Sequence, residues 1–110
     1  MTTTLTSASV LLTSTSMTDV YQAPTSGLGA QIFNLVAMNY DGTNSSTVSI
    51  VRTDSSNTIL AYLNPITETI PAGMGQRVAD YMILQAGQKI RAQAANASRI
   101  SVDLSSREES

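Results

Sequence analysis

The chain has 110 residues, a formal net charge of −2, 13% charged residues and 42% hydrophobic residues, the size and balance of one folded domain rather than a disordered chain. It contains no Cys and no His, which excludes disulfides, thiol nucleophiles, the usual general base and the two strongest zinc-ligand types. So neutral a chain carries no field to steer nucleic acid, anionic lipid or a charged substrate. A domain this short leaves a monomer marginal, and oligomerisation is the expected support.

Residues 1–13, dominated by Thr and Ser, read as a polar segment or arm with room for a first edge strand at residues 9–12. No Lys or Arg precedes the first apolar residues, so no secretory signal peptide is expected. A strand is predicted at residues 19–23, followed by turn chemistry at residues 24–29. Residues 31–40 carry apolar side chains on both parities: Ile32, Val36 and Met38 on one, Phe33, Leu35 and Ala37 on the other. That predicts a strand covered on both faces or lying at a subunit contact, with a short buried helix as the alternative. Its apolar run is far short of the roughly 20 residues that cross a bilayer.

The turn Asp41-Gly42-Thr43-Asn44-Ser45-Ser46 leads into a predicted hairpin, residues 47–52 and 58–63, joined by Asp54-Ser55-Ser56-Asn57. Further strands are predicted at residues 67–70 and 77–84, punctuated by Pro71-Ala72-Gly73 and Gln85-Ala86-Gly87-Gln88. Ile90, Ala92 and Ala94, then Ile100, Val102 and Leu104, alternate with polar residues, the period of half-buried strands. These two segments are expected to be antiparallel neighbours joined across residues 95–98, and residues 105–110 to fray as a polar end. The sum is an all-β chain, an antiparallel β-sandwich of about eight strands, with residues 14–106 as the sandwich and residues 107–110 as a polar tail.

Catalytic chemistry finds little support. Asp19, Asp41, Asp54, Glu68, Asp80 and Asp103 fall in turns, at strand ends or on polar parities, as solvated residues do. Gly73-Met74-Gly75 lacks the length and the following Lys of a phosphate-binding loop and reads as a turn entering a strand. Lys89, Arg91 and Arg99 are expected to share the outer face of the last hairpin as a polar rim. Tyr21, Tyr40, Tyr62 and Tyr81 read as core or interface packing with the hydroxyl reaching water. Asn44-Ser45-Ser46 and Asn96-Ala97-Ser98 fit the glycosylation triplet by chance in a chain this rich in Ser and Asn. No enzyme activity, cofactor or metal is expected.

Several segments resemble small structural proteins of tailed-bacteriophage virions: Thr3-Thr4-Leu5-Thr6-Ser7, Thr18-Asp19-Val20-Tyr21-Gln22-Ala23-Pro24, Asn39-Tyr40-Asp41-Gly42-Thr43-Asn44, Ile70-Pro71-Ala72-Gly73, and Leu84-Gln85-Ala86-Gly87-Gln88-Lys89-Ile90-Arg91-Ala92-Gln93-Ala94. The chain departs from that pattern at Gln88, where an acid is common, and at Arg107-Glu108-Glu109, where an apolar ending is common. The resemblance implies a jelly-roll-like sandwich, often a trimer, attached outside a capsid or to a tail. The expectation is a capsid decoration (cement) protein that binds itself and the major capsid protein or another virion protein, with no nucleic acid or membrane partner. It would be assembled in the host cytoplasm and reside in the virion, the capsid exterior before the tail. A tail, baseplate or fibre-attachment component is the first alternative, and a carbohydrate-binding module using the tyrosines is the second. The expected partner contacts are Thr2, Thr3, Thr4, Leu5 and Thr6, together with the turn residues Asp41, Thr43, Asn44, Asp54 and Asn57.

Overall fold

The computed structural model describes residues 3–64 and 68–109. Nine strands form: β1 (Thr3–Leu11), β2 (Thr18–Gln22), β3 (Gly29–Asn39), β4 (Ser46–Thr53), β5 (Ile59–Tyr62), β6 (Glu68–Ile70), β7 (Gly75–Leu84), β8 (Lys89–Ala94) and β9 (Ile100–Glu109). All pair antiparallel, in a four-stranded sheet of order β1-β9-β3-β7 and a second sheet of order β2-β8-β4-β5, with β6 also on β4. Except between β4, β5 and β6, each successive strand crosses to the other sheet. This is the jelly-roll course, and the all-β sandwich expected from the sequence is what forms.

β5 and β6 lie in tandem on one edge of β4, pairing with Val51–Thr53 and Ser46–Val48 respectively, so the two halves of one interrupted strand bring the strand positions to eight. At the break the Asn64 side chain replaces the missing ladder. Its Oδ1 accepts the Ile50 N–H at 2.9 Å and its Nδ2 donates to the Val48 carbonyl at 3.1 Å. A side-chain amide has the same donor and acceptor pair as a peptide unit, so the β4 edge stays satisfied.

Between the sheets lies one apolar core that includes Leu12, Ile32, Leu35, Ile50, Leu84, Ile90, Ile100 and Val102. Residues 31–40 form a strand and not a helix, and their mixed parity has a local cause. Asn34 adopts φ 54°, a left-handed conformation that Asn tolerates. One extra residue is inserted there relative to β9, whose Asp103 and Ser105 face Val36 and Phe33. The bulge flips the alternation. Ala30 and Ile32 point inward before it, Leu35, Ala37 and Asn39 after it, so within the single chain β3 is buried on one face, which removes the first of the two expected arrangements, cover on both faces, and keeps the second, a subunit contact, as a proposal.

Two further expectations are corrected. Residues 89–94 and 99–105 are not hydrogen-bonded neighbours: β8 pairs with β2 and β4, and β9 with β1 and β3. Both strands turn their apolar parity toward the same core, from opposite sides. Alternation fixes which side chains face inward but not which sheet carries them. Residues 105–109 are also no frayed end, because Ser105–Glu109 is the second half of β9, hydrogen-bonded on both edges. The polar sequence is tolerated because its inward residues Ser106 and Glu108 line the mouth of the sandwich and meet Thr6 and Tyr21 there. Of the strand expected at residues 67–70, Thr67 lies outside the described residues.

Candidate interaction surfaces

The connections gather at two opposite ends. At the first, the Ser98 N–H donates to the Leu12 carbonyl (2.8 Å), Tyr40 to Arg99 (2.8 Å) and Gly73 to Asp41 (2.9 Å). At the second, Gly87 donates to the Pro24 carbonyl (3.0 Å), Leu28 to Glu109 (3.0 Å), and the Lys89 ammonium reaches Asn57 Oδ1 (3.0 Å). The sequence-selected turns therefore do not converge: Asp41, Thr43 and Asn44 sit at the first end, Asp54 and Asn57 at the second. Thr3, Thr4, Leu5 and Thr6 begin β1 at the second end, on a free sheet edge. Thr2 lies outside the described residues.

Each turn aspartate builds its own loop. Asp41 Oδ1 accepts the N–H groups of Thr43 (2.8 Å) and Asn44 (3.0 Å), and its Oδ2 pairs with Arg99 at 3.1 Å. The backbone donors of Thr43 and Asn44, ahead of the Arg99 charge, hold the Asp41 carboxyl below the ordinary carboxylate range. The buried Asn39 anchors the loop from below, donating to the Asn44 and Ile70 carbonyls (both 3.0 Å) and accepting the Asp41 N–H (2.9 Å). Asp54 Oδ1 accepts from Ser56 (2.8 Å) and Thr58 (3.0 Å), with Asn57 at φ 69°. The carboxylates are spent on turns, so the side chains these loops offer outward are Thr43, Asn44 and Asn57.

The expected basic rim does not form as one cluster. Lys89 and Arg91 share Asp19 on the outer face of the β8 sheet, whereas Arg99 is at the first end with Asp41. Burial works to raise the Asp19 carboxyl, but hydrogen bonds from Lys89 and Arg91 outweigh it and hold the carboxyl low. The centre of that outer face is covered, with Val51, between Arg91 and Tyr62 in the ladder, and Thr53, between Lys89 and Ile59, both fully buried, while Ile59 and Tyr62 stay exposed at its β5 edge. Glu68 binds Gln76, Asp80 pairs with Arg77, and Asp103 accepts from Ser9 and Ser101. No group of three potential metal ligands occurs among the described residues. Gly73, at φ 69°, and Met74, donating to the Pro71 carbonyl at 3.1 Å, form the turn expected before β7.

The outer face of the four-stranded sheet is different. Register places Leu5, Arg107, Gln31 and Ile83 in one row across it, then Ser7, Ser105, Phe33 and Tyr81 in the next. Phe33 and Tyr81 pack with ring centroids 5.3 Å apart, and Val36 and Met38 continue the row of apolar residues along β3. The result is an apolar stripe over β3 and β7, separated from Leu5 and Leu11 on β1 by the polar outer row of β9. At the second end the stripe runs into a hollow of about 330 Å³ lined by Leu28, Gln31, Ile83, Arg107 and Glu109. The sequence carried a trace of this stripe in the both-parity pattern of residues 31–40, but without the bulge the outward half was not separable from the core half.

The tyrosines do not make a platform. Tyr40 lies at the first end, Tyr62 on one outer face and Tyr81 on the other, all exposed. Tyr21 is turned inward by a bulge in β2 that also leaves Val20 buried, and its hydroxyl donates to Glu108. Burial, then the Glu108 hydrogen bond, push its pKa up to about 12.

No protein-family model and no curated protein matches the sequence. Solved structures with the same fold do. A chain from the Bacillus endospore appendages, described as disulfide-linked pili, superposes with a TM-score of 0.60 at 12% identity over 98% of this chain and 88% of that one. A chain of the acid-stable capsid of Helicobacter pylori bacteriophage KHP30 gives 0.54 at 14% identity, over 96% and 85%. A chain of the T13 IBDV viral particle gives 0.53 at 4% identity, over 97% of this chain but 31% of that one. At these identities the likeness is one of fold: this chain has a β-sandwich that is also found in subunits of viral particles and of pili.

Proposed function

We propose that the protein is a bacteriophage capsid decoration (cement) protein, a non-enzymatic subunit that binds the outside of the shell as a homo-oligomer, a trimer by preference, and stabilises contacts between major capsid proteins. The observation that carries this reading is the unequal finish of the two outer faces. One face covers Val51 and Thr53 at its centre and leaves Ile59 and Tyr62 exposed only at its β5 edge, while the other leaves an apolar stripe over β3 and β7 and an uncharged β1 edge open, as a subunit of an assembly does. The fold shared with capsid chains supports it. The expected contact residues among those described fall at both ends of the sandwich, Asp41, Thr43 and Asn44 at the first, and Asp54, Asn57 and the start of the β1 edge at the second. A bridging subunit needs several weak contacts that act together, each raising the effective concentration of the next.

Quantitative mass spectrometry of purified virions tests the proposal. A copy number matching the major capsid protein, or a simple fraction of its lattice, is the expected result. A handful of copies per particle moves the protein to a tail or baseplate, and absence from virions overturns the structural reading.

A further inference from the structure

A sheet edge presents unpaired N–H and C=O groups, and proteins that stay apart blunt such edges by shortness, charge, proline or bulges. Three edges here are blunted. β2 has five residues, a bulge and the charged Asp19. The edge made by β5 and β6 is broken into four and three residues. β7 carries a register shift and the exposed Arg77–Asp80 pair. β1 has none of these devices: nine residues, Thr3–Leu11, pair with β9 without a register shift, and they contain no charge and no proline. Its outward side chains include Leu5, 79% exposed, and Leu11, 45% exposed.

We infer that β1 is the docking edge for a second copy of this chain, the two strands pairing antiparallel about Ser7 and joining two four-stranded sheets into one. This rests on the assembly reading above and names one of its contacts. The sequence of β1 fits that register. Ser7 faces its own counterpart, Thr6 faces Ala8, Leu5 faces Ser9, Thr4 faces Val10 and Thr3 faces Leu11, so outward residues meet outward residues and inward ones meet inward ones. Leu5 becomes the diagonal neighbour of Leu11 of the second copy, a separation that long side chains span. By symmetry the contact occurs twice, and the two exposed leucines of β1 cover each other. No like charges are brought together, because the strand has none. Such an isologous contact is two-fold. Combined with a three-fold axis at right angles to it, it gives a hexamer, and alone it gives a dimer.

Light scattering and sedimentation of the purified protein are expected to show an even number of copies. Leu5→Lys places two cations in the joint and is expected to weaken association at least about tenfold, with unchanged circular dichroism because residue 5 is exposed. The chain has no Cys, so Ser7→Cys is expected to form an intermolecular disulfide under mild oxidation. Ser9→Cys is not, its counterpart lying about 13 Å away along the strand. A monomer, an odd assembly, an association indifferent to Leu5→Lys, or cross-linking of Ser9→Cys as fast as Ser7→Cys overturns the inference. A monomer that still decorates shells refutes this contact alone, and an even-numbered assembly missing from virions refutes the decoration reading alone.

Discussion

The two outer faces of the sandwich are built from the same kind of strand and are finished differently at their centres, with Val51 covered on one and Phe33 and Val36 partly open on the other. On the β2-β8-β4-β5 sheet, Lys89 and Arg91 converge on Asp19, Arg91 also donates to the Met17 carbonyl at 3.2 Å, and Gln93 to the Thr15 carbonyl at 2.9 Å. Long side chains lie flat there, and their stems cover Val51 and Thr53. On the β1-β9-β3-β7 sheet the outer residues of β9 are short or paired locally, as Ser105 and the Arg107–Glu109 pair are, and the apolar atoms of β3 and β7 stay uncovered. The difference teaches that at the centre of each sheet, away from the exposed Ile59 and Tyr62 of the β5 edge, exposure of apolar surface follows side-chain length on the neighbouring strand more than the hydrophobicity of the strand itself.

A valine on each face gives the largest test. Val51→Ala is expected to destabilise the isolated protein by about 2 kcal/mol, since a fully covered side chain loses two methyl groups and leaves a cavity. Val36→Ala, half-buried on the open face, is expected to lose under about 1 kcal/mol in the same urea titration. Equal losses would mean that the open face is already covered. Asn64→Ala removes both amide bonds to β4 and leaves the Ile50 N–H and Val48 C=O unpaired. A loss of about 1–2 kcal/mol is expected, together with faster hydrogen exchange at Ile50.

Alkaline titration probes the mouth where the two sheets meet. The Tyr21 pKa lies above its ordinary value, so the folded state holds the proton that the unfolded state releases first. Stability is full below pH 10 and falls as pH rises toward 12, by about 1–2 kcal/mol after solvent screening. Tyr21→Phe should abolish this loss and remove a late-titrating component from the tyrosinate absorbance.

Asp19 runs the other way. Its folded pKa is lowered, so its contribution is present above the unfolded value of 3.8 and disappears as pH falls through the folded one. The acid is half exposed, and Asp19→Asn is expected to destabilise by only about 0.5 kcal/mol, less in high salt. Smallest of all, Ile83→Ser on the open stripe should leave the melting temperature of the isolated protein nearly unchanged, and a reduced occupancy on shells would mark the stripe as a contact.

Much of this was legible from residue pattern. Turn residues marked the strand ends, and the Asp54–Asn57 turn joined the hairpin it was expected to join. What stayed illegible depends on single backbone events. The left-handed Asn34 and the bulge at Val20 change parity with little compositional signal: Val is an ordinary strand residue, and one Asn within an apolar run, though it tolerates φ > 0, does not by itself mark a bulge. The loops proposed as contacts stand out in the sequence for a reason that partly undercuts them: Asp41 and Asp54 attract notice as polar turn residues, and their polarity is consumed in making the turn. The open stripe needed three-dimensional neighbours to be seen, because its exposure is decided by Ser105 and Arg107 on β9, some seventy residues away from β3 in sequence.

The position of β9 has a consequence in time. The last strand in sequence lies inside the four-stranded sheet, between the first and the third, so as the chain is synthesised β1 and β3 both wait with open edges until residues 100–109 have left the ribosome. No partial sheet made from β1, β3 and β7 alone has the native order. The sheet is thus completed by its longest-range pairing, a slow kind of step in folding. A slot between β1 and β3 that must be filled from the inside is also the geometry from which exchange of β9 between two copies starts.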